Sequence, residues 1–426
     1  MAKLGSRAED FLAASSFNTY IGVHMSFLGD QYDPVSNPGG AILFSVAENK
    51  LNSDLLLERL NNSEDFTPQC LNYTDPTGLP VLKSALSSFL GQHVFTECDV
   101  KAEHLIVSAG VTSLLVQLAV MLFEPGDSVL VPTPYYAAFD RDFLDLGRVR
   151  TMPVHSSTAA EGDFSLRRED LDAAYESAFL QGAPPKCFLL TNPHNPLGKI
   201  YPADELLMLV EWCRERELHL LCDEIYALSV FDTTTEGAFQ SLASLLGNQL
   251  GDTVHLLWGA SKDLGGSGLR IGVLYSQNQR LLKALGTNNM AHQVSNPVQE
   301  LLAGVLSDAP FLENFLTLNS TRIAASHRCL TASLTRLGLP FYHAGAGIFL
   351  FADLRSLLGE QSFQGERALH RDLAQLKISL TPGEACHHPL PGFFRVCFCW
   401  VGLEAVAEAC RRLEQFAISR RALNST

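Results

Sequence analysis

From about residue 100 onward the chain alternates short apolar runs with helical patterns, and this alternation restricts the fold more than any other feature. Apolar runs at Leu105–Val107, Val129–Val131, Val149–Pro153, Cys187–Thr191, Leu218–Cys222, Val254–Trp258 and Arg270–Tyr275 read as strands. Between several of them lie helical patterns at Thr112–Phe123, Arg168–Phe179 and Pro202–Arg216. The last opens with a proline and acids and closes near Arg214 and Arg216, as the helix dipole favours. Strands separated by helices mean an α/β domain with a mostly parallel sheet. From about residue 305 the texture changes. A long helical pattern, Phe311–Leu337, precedes strands at Ile348–Leu354 and Phe394–Cys399, which predicts a smaller α+β domain. No internal repeat, low-complexity tract or long linker interrupts the chain, so any domain boundary falls inside a continuous compact fold.

Charge and cysteine usage exclude several classes of function. Lys plus Arg number 31 against 46 Asp plus Glu, a net charge of −15, which repels nucleic acid and anionic membranes. A small anionic ligand is still admissible, because a pocket can be locally positive. Ten cysteines in 426 residues, with no CxxC pair, are too dilute for a disulfide scaffold and predict free, mostly buried thiols in a reducing, cytoplasmic compartment. Cys397 and Cys399 are expected on one face of a strand, as core positions rather than ligands. The N-terminus meets Glu9 and Asp10 before any apolar run, unlike a secretory leader. Leu105 to Phe123 lacks charges for nineteen residues, long enough to span a bilayer. Its small, polar middle, Ser108-Ala109-Gly110-Val111-Thr112-Ser113, divides a β-rich half from a helical half and predicts a buried strand–turn–helix instead.

Ligands of open α/β sheets bind beyond the carboxyl ends of the strands, so the residues after each strand carry the chemistry. Ser108-Ala109-Gly110-Val111-Thr112 opens a helix, and the free N–H groups of a helix start suit a phosphate. Asn192-Pro193-His194-Asn195-Pro196-Leu197-Gly198 follows Cys187–Thr191. Asp223-Glu224-Ile225-Tyr226 follows Leu218–Cys222, and Ser261-Lys262-Asp263 through Arg270 follows Val254–Trp258. Taken singly, each has an ordinary reading as a turn, a helix cap or a surface lysine. Together they supply Asn, Asp, Tyr, Lys and Arg at successive strand ends, which is the set pyridoxal 5′-phosphate (PLP) requires. The aldehyde needs a lysine and the ring nitrogen a carboxylate. The phenolate needs hydrogen-bond donors, and the phosphate needs an arginine with backbone N–H groups.

Six segments in order extend this pattern over nearly the whole length: YDPVSNPGGAILFSVAENKL from Tyr32, PTPYYAAFDRD from Pro132, NPHNPLGKIY from Asn192, CDEIYALSVF from Cys222, SKDLGGSGLRIGVLYS from Ser261 and PGFFRVCF from Pro391. On these residues the chain resembles the fold-type I, PLP-dependent class I/II aminotransferases, in the branch of 1-aminocyclopropane-1-carboxylate (ACC) synthase and its animal and fungal relatives. The resemblance implies the aspartate aminotransferase-like fold: residues 1–50 as an N-terminal arm with part of the small domain, 51–304 as the large PLP-binding domain, and 305–426 as the small C-terminal domain. It implies Lys262 as the Schiff-base lysine, Asp223 on the pyridine nitrogen, and Asn195 and Tyr226 on the ring oxygen. Tyr136 would stack on the ring, with Tyr135 as a rival. Arg270, Ser261 and the backbone of Val111 and Thr112 would hold the phosphate. Arg395 would grip the substrate carboxylate, and Glu48 would lie beside the substrate. It also implies a homodimer with shared sites, in which Tyr73 reaches the neighbouring subunit's phosphate, and an amino acid as substrate. No metal is expected.

Two departures bear on the reaction. Plant-type ACC synthases read Asp-Tyr-His-Gly where this chain has Asp75-Pro76-Thr77-Gly78, so the tyrosine of their ring-closing chemistry is absent. Three residues before the lysine, a phosphate-binding serine of the family is replaced by Gly259, and Ser261, Ser267 or water is expected to substitute. The leading expectation is carbon–sulfur bond cleavage by α,β-elimination from a cysteine-derived amino acid, since carbon–sulfur lyases of fungal sulfur-metabolite pathways belong to this branch. An aminotransferase, ACC synthase itself, and a catalytically degenerate binding protein are the alternatives.

Overall fold

The structure is a computed structural model that describes residues 3–424 apart from 7, 10–11, 13–18 and 64–67. Asp10, one of the two acids that argued against a leader, lies outside the described residues. The chain divides into two compact units, one formed by Glu48–Ala324 with His343–Ile348 and the other by Met1–Ala47, Ala325–Tyr342 and Phe349–Thr426. The change of unit falls at 324/325 rather than at 304/305, inside the unbroken helix Ala309–Arg336. A boundary within a helix has no linker and no compositional mark, which is why the change of texture near 305 pointed elsewhere.

The larger unit is built on a seven-stranded sheet of β1 (Leu105–Ala109), β2 (Ser128–Pro132), β3 (Arg150–Val154), β4 (Pro185–Thr191), β5 (His219–Asp223), β6 (Val254–Gly259) and β7 (Ile271–Ser276). Their order across the sheet is β1-β7-β6-β5-β4-β2-β3. The central strands are buried on both faces. Val129 to Val131, Phe188 to Leu190 and Leu256 to Trp258 are all 2% exposed or less, so their sequences run apolar without alternation. Helices α1 (Val111–Met121), α2 (Arg168–Leu180) and α3 (Ala203–Glu215) match the predicted patterns to within a residue or two. The charge-free stretch from Leu105 is thus β1, a turn and α1. No single helix among the described residues is long and apolar enough to cross a membrane.

One strand runs against the rest. β7 pairs antiparallel with both β1 and β6, whereas β6–β5, β5–β4, β4–β2 and β2–β3 are parallel. The link from β6 to β7 carries only a short 3₁₀ turn, Ser267–Leu269, and no crossover helix, so the chain must double back beside the strand it has left. The start of β7 therefore lies at the same edge as the carboxyl ends of the parallel strands. Gly272 pairs with Ser108 on one side and Gly259 on the other. A Cβ there would collide with the backbone of Gly110 and Val111.

In the smaller unit, β8 (Leu350–Asp353), β9 (Thr381–Pro382) and β10 (Phe393–Val396) form an antiparallel sheet in the order β9-β10-β8. Ile42–Leu43 pairs in parallel with Ile378–Ser379. The strand predicted to reach Cys399 ends at Val396, because Cys397 turns its N–H to the Phe44 carbonyl and leaves the ladder. Cys397 and Cys399 are buried beyond the strand and do not share a strand face.

Replacing Gly272 by Ala forces β7 away from the first turn of α1. Urea unfolding of G272A is expected to show a loss of about 1–3 kcal/mol, as for overpacked cores, and an unchanged midpoint would refute the close approach.

Candidate active site

Because the parallel strands end together, their following residues meet at one edge of the sheet. Asp223 is the last residue of β5 and pairs with Thr191, the last of β4. The next residue, Asn192, donates its N–H to the Asp223 carbonyl at 2.9 Å. The Asn192 side-chain oxygen accepts from Tyr201 N at 3.2 Å, closing the Asn192–Tyr201 loop on itself. That closure presents Asn195, whose amide donates to the Tyr226 hydroxyl at 3.3 Å, and both side chains are buried. The two residues assigned to the ring oxygen are thus brought together by separate strand ends.

Asp223 is 5% exposed, and its Oδ1 is buried with no hydrogen-bond partner among the described residues. Burial pushes its carboxyl up to about 7, partly offset by the Ile225 N–H and by the ammonium of Lys262. A buried acid with an orphaned oxygen is costly unless a donor completes it. A protonated pyridine nitrogen is such a donor and also brings the missing positive charge. Lys262 lies in the β6–β7 loop, half-buried and near enough to Asp223 for the two charges to interact.

The start of α1 suits the other end of the cofactor. Gly110 stands at its N-cap with φ +87° and no side-chain cap, which leaves the first-turn N–H groups of Val111 and Thr112 available. The Arg270 guanidinium packs where a side chain on Gly110 would be, and its Nη1 donates to Ser267 O at 3.2 Å. Only a glycine leaves that space, so a phosphate can meet helix N–H groups and arginine together.

Other expectations resolve individually. Tyr135 is 2% exposed and its hydroxyl donates to Asp140 Oδ1 at 2.8 Å, so it belongs to the core. Tyr136 is half-buried, edge-on to Phe139 at 5.3 Å, and is the tyrosine left for the ring face. Ser261 is buried. Ser267 donates its hydroxyl to the Ser261 carbonyl at 2.9 Å, so it is held there and not presented as a substitute phosphate donor. Gly259 has a packing cause: a Cβ on it would come within 2.8 Å of the Ile271 carbonyl and 3.2 Å of Val111 Cγ2. Glu48 is paired with Lys50 at 3.7 Å. The carbonyl of Asn49 lies 2.6 Å from where a Gly265 side chain would begin, so the Glu48–Lys50 segment packs against the Lys262 loop. Tyr73 is fully exposed.

Arg395 belongs to the smaller unit. It is 2% exposed on β10, and its Nη2 donates to the Ser45 carbonyl at 3.0 Å and to Thr381 Oγ1 at 3.2 Å. Buried Glu366 holds both ends of the β9–β10 connection, accepting from Glu384 N at 2.9 Å and Gly392 N at 2.5 Å. Burial pushes that carboxyl up to about 7. Ser45, Thr381 and Glu366 were missed in the sequence because their partners come from distant segments, through a backbone carbonyl for Ser45, a hydroxyl for Thr381 and backbone N–H groups for Glu366.

Residues 42–413 match the family described as aminotransferase class I and II, and the chain belongs to that PLP-dependent enzyme family. It is 33% identical over 398 residues to 1-aminocyclopropane-1-carboxylate synthase CMW33 of Cucurbita maxima, covering 91% of this chain and 80% of that one. It is 35% identical over 393 residues to 1-aminocyclopropane-1-carboxylate synthase-like protein 1 of Bos taurus, covering 91% and 76%. The solved aspartate aminotransferase from Thermus thermophilus with maleate has a TM-score of 0.79 to this chain at 19% identity, covering 98% of this chain and 100% of that one. That likeness establishes the aspartate aminotransferase-like α/β fold.

Asp223 makes a pH prediction for the cofactor-free protein. Its folded pKa of about 7 is above that of an ordinary carboxyl. The stability it contributes is therefore fully present below about pH 4 and is lost as pH rises through 7. Urea unfolding should show the stability of the natural chain falling relative to D223N across that window, by at most about 1.4 kcal/mol per pH unit. A difference that stays flat with pH would refute it.

Proposed function

We propose that this chain is a lyase that cleaves a carbon–sulfur bond in a cysteine-derived amino acid or conjugate by α,β-elimination. The observation that carries this reading is the turn at Asp75–Gly78. The Asp75 carboxylate accepts from Thr77 N at 2.8 Å and Thr77 Oγ1 at 2.7 Å, and Asn289 donates to the Pro76 carbonyl at 2.5 Å. Position 76 thus carries a fixed pyrrolidine and no phenol. The ring-closing chemistry of plant-type ACC synthases lacks its tyrosine here, while Lys262, Asp223, Asn195, Tyr226 and Arg270 are all present.

When bound, PLP supplies an electron sink for the bond broken at the substrate's α carbon. The chain's own residues do the rest. Asp223 offers its buried carboxylate to the ring nitrogen, and Asn195 and Tyr226 offer donors to the ring oxygen. Arg270 and the N–H groups of Val111 and Thr112 hold the phosphate, and Tyr73 of a second copy of this chain completes that site in a homodimer. Arg395 offers the α-carboxylate a guanidinium already oriented by Ser45 and Thr381. Glu48, on the segment packed against the lysine loop, faces the substrate. Lys262 would hold the cofactor's aldehyde and, when free, would take the proton from the substrate's α carbon. The Cβ–S bond breaks with its electron pair on sulfur, which leaves as a thiol. The released enamine takes up water to give a keto acid and ammonium, and no oxidant or reductant is needed. Ten free cysteines, nine of them buried, support a cytoplasmic setting.

The purified holoprotein incubated with S-substituted cysteines is expected to release thiol, keto acid and ammonia in equal amounts. ACC formed from S-adenosylmethionine, or amino-group exchange with keto acids and no ammonia, would overturn the proposal in favour of a synthase or an aminotransferase. Lys262→Ala should abolish every product. Arg395→Ala should lower kcat/KM by about 100-fold, roughly 3 kcal/mol, as for loss of a buried charge pair. An unchanged value would remove Arg395 from substrate binding.

A further inference from the structure

We propose that Asp263 is a positioning residue that ties the cofactor-holding lysine to the turn bearing Tyr226. Asp263 directly follows Lys262 and is 0% exposed. Its Oδ1 accepts from Ser229 Oγ at 2.7 Å, and its Oδ2 accepts from Leu228 N at 3.1 Å and Trp258 Nε1 at 3.1 Å. The three donors come from two elements. Trp258 belongs to β6, fully buried and packed on Phe89 at 5.3 Å. Leu228 and Ser229 belong to the turn after β5, in which Ser229 N donates to the Tyr226 carbonyl at 2.9 Å.

The lysine loop has other backbone ties. Ala260 N donates to Ile271 O at 3.1 Å, Gly266 N to Ala260 O at 3.0 Å and Gly265 N to Lys262 O at 3.2 Å. These three bind the loop to itself and to β7, and none of them reaches the Tyr226 turn. The Asp263 carboxylate does. The amine that takes the aldehyde and the phenol that faces the ring oxygen thus share one anchor, a single residue from Lys262.

The tie is held against an electrostatic cost. Burial pushes the Asp263 carboxyl up to about 7 although three donors stabilise its charge, and Asp223 nearby adds to the shift. A group maintained there has a use beyond filling space, since an apolar side chain would pack at lower cost. The inference concerns how the cofactor is held and does not depend on which reaction follows.

Two variants separate the tie from the charge. In Asp263→Asn the amide oxygen can accept both N–H donors while the amide nitrogen donates to Ser229 Oγ, so the tie is kept and the charge removed. In Asp263→Ala the donors of Leu228 and Trp258 lose their acceptor. Two readouts are taken on bound cofactor, without turnover: PLP affinity, and the pH midpoint of its visible absorbance. D263A should bind PLP about tenfold or more weakly, the scale of a lost charged hydrogen-bond set, with the absorbance midpoint displaced. D263N should restore both to near the natural values. Should D263A fail to fold, Ser229→Ala removes one donor alone and should displace the midpoint in the same direction. Natural PLP affinity and an unmoved midpoint in D263A, or in S229A, would overturn the proposal even if the melting temperature fell. D263N as defective as D263A would overturn it too, by showing that charge and not the tie matters. Failure to cleave S-substituted cysteines would leave these readouts untouched.

Discussion

Six strands that run one way and a seventh that runs back make this site. Parallel strands end together, so Asn195, Asp223, Tyr226 and Lys262 reach one edge although long stretches of chain separate them. Parallel order alone would send the amino end of the last strand to the opposite edge and Arg270 with it. The reversal of β7 returns Arg270 to the edge where α1 begins, and the close packing of Gly272 against Gly110 and Val111 brings arginine and helix start into one anion site. A change of strand direction here has the consequence of a binding residue.

This geometry explains how a chain of net charge −15 can hold an anionic cofactor. The attraction is local. On the proposed assignment it would come from the Arg270 guanidinium and the helix N–H groups beside it, not from the field of the whole surface. At the other end of the site, burial drives Asp223 and Asp263 up to about 7, and Asp142, which feels Asp223, likewise. Among the charged groups of the described residues, the ammonium of Lys262 acts on Asp223 in the favourable sense. The edge is therefore divided in sign, cationic at Arg270 and acidic at Asp223, which is the division that the proposed placement of the cofactor needs.

Strands and helices of the larger unit were legible because burial on both faces writes continuous apolar runs, and Lys262, Asp223, Asn195 and Tyr226 because they recur after those runs. Strand direction was not legible. A strand buried on both faces reads the same whichever way it runs, and only the absence of a helix between Trp258 and Arg270 hinted at the reversal. Gly259 looked like a lost phosphate donor, and its contact with the Ile271 carbonyl appears only when β6 and β7 are paired. Nothing in the sequence singles out Asp263, in a loop, or Glu366, in a helix. Their functions depend on backbone N–H groups whose positions no local pattern encodes.

The choice of reaction rests on less than the choice of cofactor. Carboxylate, lysine, ring-oxygen donors and phosphate site serve every exit open to a PLP-bound amino acid, so their presence discriminates nothing among elimination, transamination and cyclisation. Discrimination needs a group that acts on the leaving end of the substrate. In the turn at Asp75–Gly78, Asp75 Oδ1 accepts from Thr77, the Pro76 carbonyl accepts from Asn289, the Thr77 hydroxyl bonds Asp75 and Lys83, and the Thr77 carbonyl accepts from Val107 N. Asn289 is itself tied to β1 through the Val107 carbonyl at 2.7 Å, so the turn cannot swing to present a different residue without breaking contacts in the core. A rigid turn without a phenol removes one way of assisting displacement at Cγ and leaves departure of a good leaving group from Cβ needing no such help. This is the support that the turn lends to the proposed elimination of a thiol.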